Sequence, residues 1–341
     1  MIKTAVVILN WNGKNYLEKF LPGVLLHSKD EAQIYVIDNA SSDDSVEFLS
    51  KNYPTVIQLH NSTNGGFSQG YNEGLAKIEA QYFVLLNSDV EVSKNWLTPI
   101  IELMDKDEKI AACQPKIKSF AHTDSFEYAG AAGGFMDSNF YPFCRGRILN
   151  TVEPDLGQYD TSIEVFWASG ASLFVRADVY KSCGGLDEDF FAHMEEIDLC
   201  WRMKNLGYKI FSCHLSTVYH VGGGTLSKIN PRKTFLNFRN NLYLITKNVA
   251  THQLYSSLFK RMILDGIAAA KFLFSGSASH AWAVFKAHLS FYSNFKKMKS
   301  KRNTKLTNSG ANVSGLYSKS IIWDYYIRKR TKFSSIDFET K

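Results

Sequence analysis

The chain predicts an α/β fold: one Rossmann-like, mostly parallel sheet flanked by helices, followed by a C-terminal helical appendage. Three features point there. Short continuous apolar runs alternate with helix-period segments through the first third, as expected of strands buried on both faces. Successive runs end abruptly in polar groups: Ala5 to Leu9 meets Asn10-Trp11-Asn12, Ile34 to Ile37 meets Asp38-Asn39, and Tyr82 to Leu86 meets Asn87-Ser88-Asp89. Beyond Pro231 the texture changes to long helical periods. In doubly wound sheets, ligands bind outside the carboxyl ends of the strands, where these polar groups would gather.

The first strand leads into an amphipathic segment over about 15–26. The second leads into a helix over about 43–52, opened by Ser and Asp residues whose side chains accept from unpaired helix donors. A third strand spans 56–59. Asn64-Gly65-Gly66-Phe67 then turns into a helix reaching about residue 77, and its first amides suit an anion or phosphate. An Asp or Asn after a single strand commonly does no more than cap a helix or shape a turn. Three strands ending this way, with a glycine-rich turn before the last, exceed what capping requires.

The glycine-rich, aromatic stretch 117–159 reads as loops, with Arg145 and Arg147 either surface groups or partners of a phosphate. The next dense region reads as strand, turn and helix. It runs from Trp167-Ala168-Ser169-Gly170 through Gly184-Gly185-Leu186-Asp187 to a helix from about Met194 to Gly207. Glu195 and Glu196 fall in the first turn of that helix, where the dipole favours carboxylates even without a chemical role. Asp198 and Arg202, at i and i+4, fit a simple pair. The approach Phe190-Phe191-Ala192-His193-Met194 would bury one side of this turn, and burial raises a carboxyl pKa as a general base requires.

A chain of 341 residues with 45% hydrophobic content can bury a full core. Its net charge of +6 is unevenly spread: from Leu254 onward there are 16 Lys and Arg against 4 Asp and Glu, leaving 23 against 29 before it. The last third is therefore strongly basic and the body acidic. Such a region suits an anionic surface, and Leu254, Leu258, Met262, Ile263 and Ile267 recur at helical spacing among Lys260, Arg261 and Lys271. Homodimer packing is the other use of such a stripe. Five cysteines without paired spacing argue against a disulfide framework or a zinc knuckle. The apolar start breaks at Asn10, too early for a signal segment, and no window approaches the roughly 18 apolar residues of a spanning helix. The expected setting is the cytoplasm, peripheral on the inner face of the membrane. Nucleic acid is not an expected partner, for the body lacks zinc spacing and ribonucleoprotein-type aromatics. A dinucleotide-dependent enzyme is set aside because Asn-Trp-Asn-Gly, not G-x-G-x-x-G, follows the first strand.

Asn10-Trp11-Asn12, Asp38-Asn39-Ala40-Ser41, Asn64-Gly65-Gly66-Phe67 through Asn72, Asn87-Ser88-Asp89 and Glu195-Glu196-Ile197-Asp198 together resemble the ordered motifs of glycosyltransferase family 2, over roughly residues 3–245. The rhamnosyltransferase-like branch, which builds bacterial surface polysaccharides, is the most similar. The resemblance implies a GT-A fold over 1–245, with a nucleotide half to about 115 and an acceptor half from 116, and a basic amphipathic region over 246–341. It implies an inverting transfer from a dTDP- or UDP-sugar to a glycan or lipid-linked saccharide. Asn10, Trp11, Asn12, Asp38, Asn39, Asn64, Gly66, Phe67, Asn72, Asn87 and Ser88 then contact the nucleotide-sugar. Asp89 and His220, the latter in Val218-Tyr219-His220-Val221 running on through Gly222-Gly223-Gly224-Thr225, hold a divalent cation, Mn2+ or Mg2+. Glu196 matches the base position, with Glu195 beside it, and Trp167, Ser169, Gly170 and Asp198 fall on the acceptor side. Two departures, Asn87 for the first metal-motif acid and Glu196 for the usual Asp, leave a catalytically inactive sugar-nucleotide-binding or scaffold protein as the alternative.

Overall fold

The computed structural model describes residues 2–222, 230–303 and 313–338. Gly223, Gly224 and Thr225 of the histidine motif lie outside the described residues. The first third alternates as expected: β1 (Ile2–Asn10), α1 (Lys14–Ser28), β2 (Gln33–Asp38), α2 (Ser45–Asn52), β3 (Ile57–His60), α3 (Gly66–Leu75) and β4 (Ala80–Asn87). Successive residues of a strand point to opposite faces, so a continuous apolar run feeds two cores at once. Ala5, Val7, Phe83 and Leu85 enter one core, while Val6, Ile8, Val84 and Leu86 enter the other.

The main sheet runs β3-β2-β1-β4 in parallel and continues through β12 (Ser172–Arg176), antiparallel to both neighbours, to β6 (Ile110–Ser119), β13 (Lys209–His220) and β11 (Ile163–Val165). The short β5 (Val90–Val92) pairs with the end of β13. Helix α4 (Thr98–Lys106) connects β5 to β6, and α5 (Ala177–Ser182) and α6 (Glu195–Asn205) precede β13. Register aligns the polar ends: Asn10 lies opposite Asp38, and Leu9 opposite Asn87.

The stretch 117–159 is not the set of loops expected from its glycines. It holds a second sheet of β7 (Gly134–Asp137), β8 (Pro142–Cys144), β9 (Arg147–Ile148) and β10 (Thr151–Val152). Strands this short leave no alternation to read. Arg145 and Arg147 are neither surface groups nor placed for a phosphate. Both are buried, Arg145 donating to Ala132 O and Thr161 O, and Arg147 donating to Tyr128 O.

Helix α7 (Pro231–Asn248) runs across the boundary expected at residue 245, and α8 (Leu254–Phe274) and α9 (Ala278–Ser300) pack back on it and on each other. The chain then returns to the second sheet. There β14 (Leu316–Tyr317) pairs with β7, and α10 (Ile321–Tyr326) follows. Phe333 and Phe338 lie 5.2 and 4.8 Å from the Phe135 ring, so aromatic residues from both ends of the fold share one cluster. Much of the basic C-terminal region is thus woven into the second sheet and the Phe135 cluster.

Candidate active site

At the rim of β1 and β2, one hydrogen-bonded set fixes the turns. Asp38 Oδ1 accepts from Asn10 Nδ2 at 3.2 Å and Asp38 Oδ2 from the Ser41 amide at 3.0 Å, while Asn12 Oδ1 accepts from the Ser42 amide at 2.7 Å. Asn39 donates to Asn64 Oδ1 at 2.9 Å and to Gly66 O, and Asn64 accepts from the Gly66 amide. The turn at Asn39 thereby shapes the start of α3. Asn10 Oδ1 is buried without a protein partner, and Trp11 stands 48% exposed, so this rim offers an orphan acceptor beside an open ring.

Asn72 sits elsewhere. Its Oδ1 accepts from the Tyr180 hydroxyl and the Leu186 amide, and its Nδ2 donates to Leu186 O. It ties α3 to the loop before the acidic turn, so the nucleotide contact expected of it is corrected to a structural one.

Asp89 and His220 meet because β5 pairs antiparallel with β13, which sets Val90 opposite His220. His220 Nε2 lies 3.2 Å from Asp89 Oδ1, and its Nδ1 faces Glu127 Oε2 at 3.4 Å without a well-formed hydrogen bond. Burial alone would lower the imidazole pKa, yet the carboxylates of Asp89 and Glu127 on either side push it up to about 10. A ring held between two carboxylates needs a cation on its Nε2 side, supplied by a proton or a metal. With Nδ1–H turned toward Glu127 and the proton kept on the ring, Nε2 would be free to ligate, a carboxylate–histidine–metal arrangement. Among the described residues no group of three or more His, Cys, Asp or Glu surrounds a common point. Two protein ligands nonetheless fit an ion of the Mg2+ type, which keeps waters and takes its other oxygens from substrate phosphates.

The acidic turn follows a strained loop. Phe191, His193 and Met194 have φ of 65°, 70° and 73°, a region bulky residues avoid. Asn240 on α7 holds this loop in place: its Nδ2 donates to Phe190 O at 3.0 Å, Ala192 O at 2.9 Å and His193 O at 2.7 Å. Arg239 adds bonds to Asp189 O and Phe190 O. From the donor side, the Phe67 amide bonds Phe191 O at 2.9 Å, and a Cβ on Gly66 would come within 2.7 Å of that same oxygen. Only glycine allows this approach, at a φ of +85°.

Glu195 and Glu196 open α6 with one carboxylate oxygen each buried and unpartnered. Burial pushes Glu196 up to about 7, and burial together with the neighbouring Glu196 raises Glu195 well above the carboxylate range. His193, buried and near Lys233, is pushed down to about 4 and stays neutral. A Cβ on Gly170 would lie 3.4 Å from the Phe67 ring and 3.9 Å from Glu196 Cβ, so the start of α3, the acidic turn and the 169–171 segment converge.

Three acceptor-side expectations are corrected. Asp198 is fully buried and saturated by Lys247 at 2.7 Å, Arg202 at 2.8 Å and Asn248 at 2.8 Å. Trp167 is buried with its indole donating to Phe135 O, and Ser169 bonds Ala129 O and Gln114. Each supports the walls and presents no free group to an acceptor. Sequence reasoning missed Glu127 and Asn240: one stands in an aromatic stretch without a motif, the other on a helix read only for its period. A polar cleft of about 220 Å³, lined by Ser138, Asn139, Ser256 and Lys260 among others, shares no residue with the acidic turn.

The family model described as Glycosyl transferase family 2 matches residues 5–169. The chain is 22% identical over 217 residues to the N-acetylglucosaminyl-diphospho-decaprenol L-rhamnosyltransferase of Mycobacterium tuberculosis, covering 60% of this chain and 71% of that one. Among solved structures it resembles GalNAc-T7 with UDP, GalNAc and Mn2+ at a TM-score of 0.58 and 16% identity, spanning 92% of this chain and 59% of that one. It also resembles S. aureus TarS 1-349 in complex with UDP-GlcNAc, at 0.55 and 13%, over 88% and 91%. At these identities the structural likeness establishes the fold.

Proposed function

Carrying a glycosyltransferase family 2 domain over residues 5–169, the protein is a glycosyltransferase, and on that premise we propose that it moves a sugar, with inversion, from a nucleoside-diphosphate-sugar to a hydroxyl of a glycan or lipid-linked saccharide. The observation that carries this reading is the Glu195–Glu196 pair: Glu195 buried and Glu196 half-buried, each with one buried, unpartnered carboxylate oxygen, beside Gly170 and the donor-side Phe67. An acid with a pKa near 7 is poised to take a proton at physiological pH.

In the proposed step the acceptor oxygen attacks the anomeric carbon in line. Its proton passes to Glu196, and the bond from the anomeric carbon to the diphosphate oxygen breaks with the electron pair leaving on the diphosphate. The rim of Asn10, Trp11, Asn12 and Asp38 receives the nucleotide, with Asn64, Gly66 and Phe67 beside it and Asn87 and Ser88 at the end of β4; Asn39, buried and saturated by Asn61, Asn64 and Gly66, shapes the turn instead of meeting the nucleotide. Asp89 and His220 would hold Mn2+ or Mg2+, which when bound neutralises charge on the leaving diphosphate. Glu127 keeps His220 turned to that task. Rhamnose and a prenol-linked acceptor follow the name of the M. tuberculosis relative, a UDP-sugar follows the UDP-bound neighbours, and a dTDP donor is the one the motif resemblance suggests. Such an acceptor is anchored in lipid, which puts the proposed reaction at the cytoplasmic face of a membrane.

The second reading, an inactive sugar-nucleotide-binding scaffold, is favoured by Asn87 and Glu196 standing where the family usually has Asp. One experiment separates the two: dTDP-, UDP- and GDP-sugars are offered with Mn2+ or with EDTA, and nucleoside diphosphate release is followed for wild type, Asp89→Ala and Glu196→Gln. Metal-dependent release from one donor, lost in both variants, is the expected result. Tight nucleotide binding without release, even with membrane extract as acceptor, would establish the scaffold.

A further inference from the structure

Half of the large apolar side chains left exposed among the described residues, ten of twenty, lie on α8 and α9. They are ordered. On α8, Tyr255, Phe259, Ile263 and Ile267 recur every fourth residue and lead to Phe274, which is 93% exposed. On α9, Trp282, Phe285, Leu289 and Tyr292 recur at alternating steps of three and four. Each helix buries its other side, through Leu254, Leu258, Arg261 and Asp265 on α8 and through Ala283, Ala287 and Phe291 on α9. Each helix therefore spends one face on the fold and leaves an apolar face unspent.

The two outward stripes adjoin. The Tyr292 hydroxyl reaches Met262 Sδ at 3.4 Å and Lys299 Nζ donates to Tyr255 at 3.0 Å, so the seam between the helices is bridged. On the far side of α8, Lys271 donates to the Tyr326 hydroxyl of α10, whose Trp323 is 56% exposed. The charge around this face has one sign. From Leu254 to Asn303 the sequence has a single acid, Asp265, and it is buried against Arg261 and His288. Lys260, Lys286 and Lys296 lie exposed along the stripes.

We propose that the outward face of α8 and α9, with α10 at its edge, docks on an anionic lipid surface, its aromatic and aliphatic side chains entering the headgroup boundary and its lysines meeting lipid phosphate. Aromatic residues with a lysine border suit that boundary. None of the described helices is long and apolar enough to cross a membrane, so the contact lies along the surface. A second copy fits less well: a twofold pairing would set lysines against lysines with no exposed acid on the face to neutralise them. Residues 304–312, outside the described set, contain one large apolar residue, too few to cover ten.

This face is tied to the acceptor side of the site. Helix α9 ends on Lys297 and Lys301, which pair with Asp189 at 2.5 Å and Asp187 at 2.6 Å on the loop leading to Glu195 and Glu196. The inference deepens the proposed transfer to a lipid-linked acceptor and rests on it only for its purpose.

The test is co-sedimentation of the full chain with phosphatidylcholine vesicles, with and without about one-third phosphatidylglycerol. Wild type is expected to bind the anionic vesicles at least about tenfold better than the neutral ones, with a blue shift of tryptophan emission. The pair Phe259→Ser and Phe285→Ser should lose about tenfold or more in binding, and Lys286→Glu with Lys296→Glu should lose the anionic preference, both keeping wild-type donor hydrolysis in solution. No binding, equal binding by the variants, or a dimer in sedimentation velocity that the Phe pair dissociates would overturn the proposal. A chain that binds vesicles yet releases no nucleotide fails as a transferase and leaves the docking face standing; one that turns over donor but ignores vesicles does the reverse.

Discussion

Glu195 and Glu196 lie side by side on one helical turn, so charging one resists charging the other. With Glu196 pushed up to about 7, the fraction able to accept a proton grows as pH rises. Transfer is expected to increase through about pH 7 and level above it, while Glu196→Gln should fall by roughly 10²- to 10⁴-fold and lose that limb, read from kcat against pH. Glu195, held protonated well above the ordinary carboxylate range, puts no charge beside Glu196 at that pH, so Glu195→Gln should keep the limb near pH 7. Glu127→Gln is expected to weaken Mn2+ binding by about 10- to 100-fold in calorimetry, since the histidine then faces a neutral amide in place of the carboxylate that orients it. The acid pair, Asp89 and His220 were legible because they sit in short motifs. Asp198 and Asn72 sit in the same motifs yet, beyond the legible i+4 pair with Arg202, are consumed by Lys247, Tyr180 and Leu186, residues as many as 114 positions away. No local pattern carries such partners.

The loop 190–194 is held in its strained form by contacts from two other elements, α3 and α7. Asn240→Ala would strip the donor from the Ala192 and His193 carbonyls, Phe190 O keeping Arg239, and each costs about 1–3 kcal/mol when left unpaired, though relaxation and water would recover part. A loss of about 2–4 kcal/mol in stability is expected by denaturant titration. The fall in kcat should be larger than any rise in donor KM, because the loop positions the base and leaves the nucleotide rim intact. Gly66→Ala forces a Cβ onto Phe191 and should lower donor affinity and turnover together. At this scale the alternating βα elements were read within a few residues, since both faces of each strand are buried and the apolar runs are unbroken. The second sheet was not, because strands of two to four residues built from glycine and aromatics show no period.

Across the whole molecule, the C-terminal helices are joined to the body by charge as well as by apolar packing. Burial would raise Asp187, yet Lys247 and Lys301 hold it well below the ordinary carboxylate range. A carboxylate depressed in the folded state adds stability above its unfolded value near 4, and that stability is lost as pH falls through the lower folded value. Lys301→Ala should therefore flatten the acid side of a Tm-against-pH curve. Removing everything after residue 303 takes away β14, α10 and the phenylalanines stacked on Phe135 and Phe143, and should leave a chain that melts earlier although residues 5–169 are intact. The sequence divides the protein into a catalytic body and an appendage, because composition changes near Pro231, whereas the pairing of β14 with β7 depends on a contact some 180 residues long. That pairing also orders the protein's manufacture. Chains are made from the N-terminus, and early units fold first. The docking helices leave the ribosome ahead of β14, so a newborn chain would acquire its grip on lipid before the second sheet is closed, and would reach its post before it could begin work.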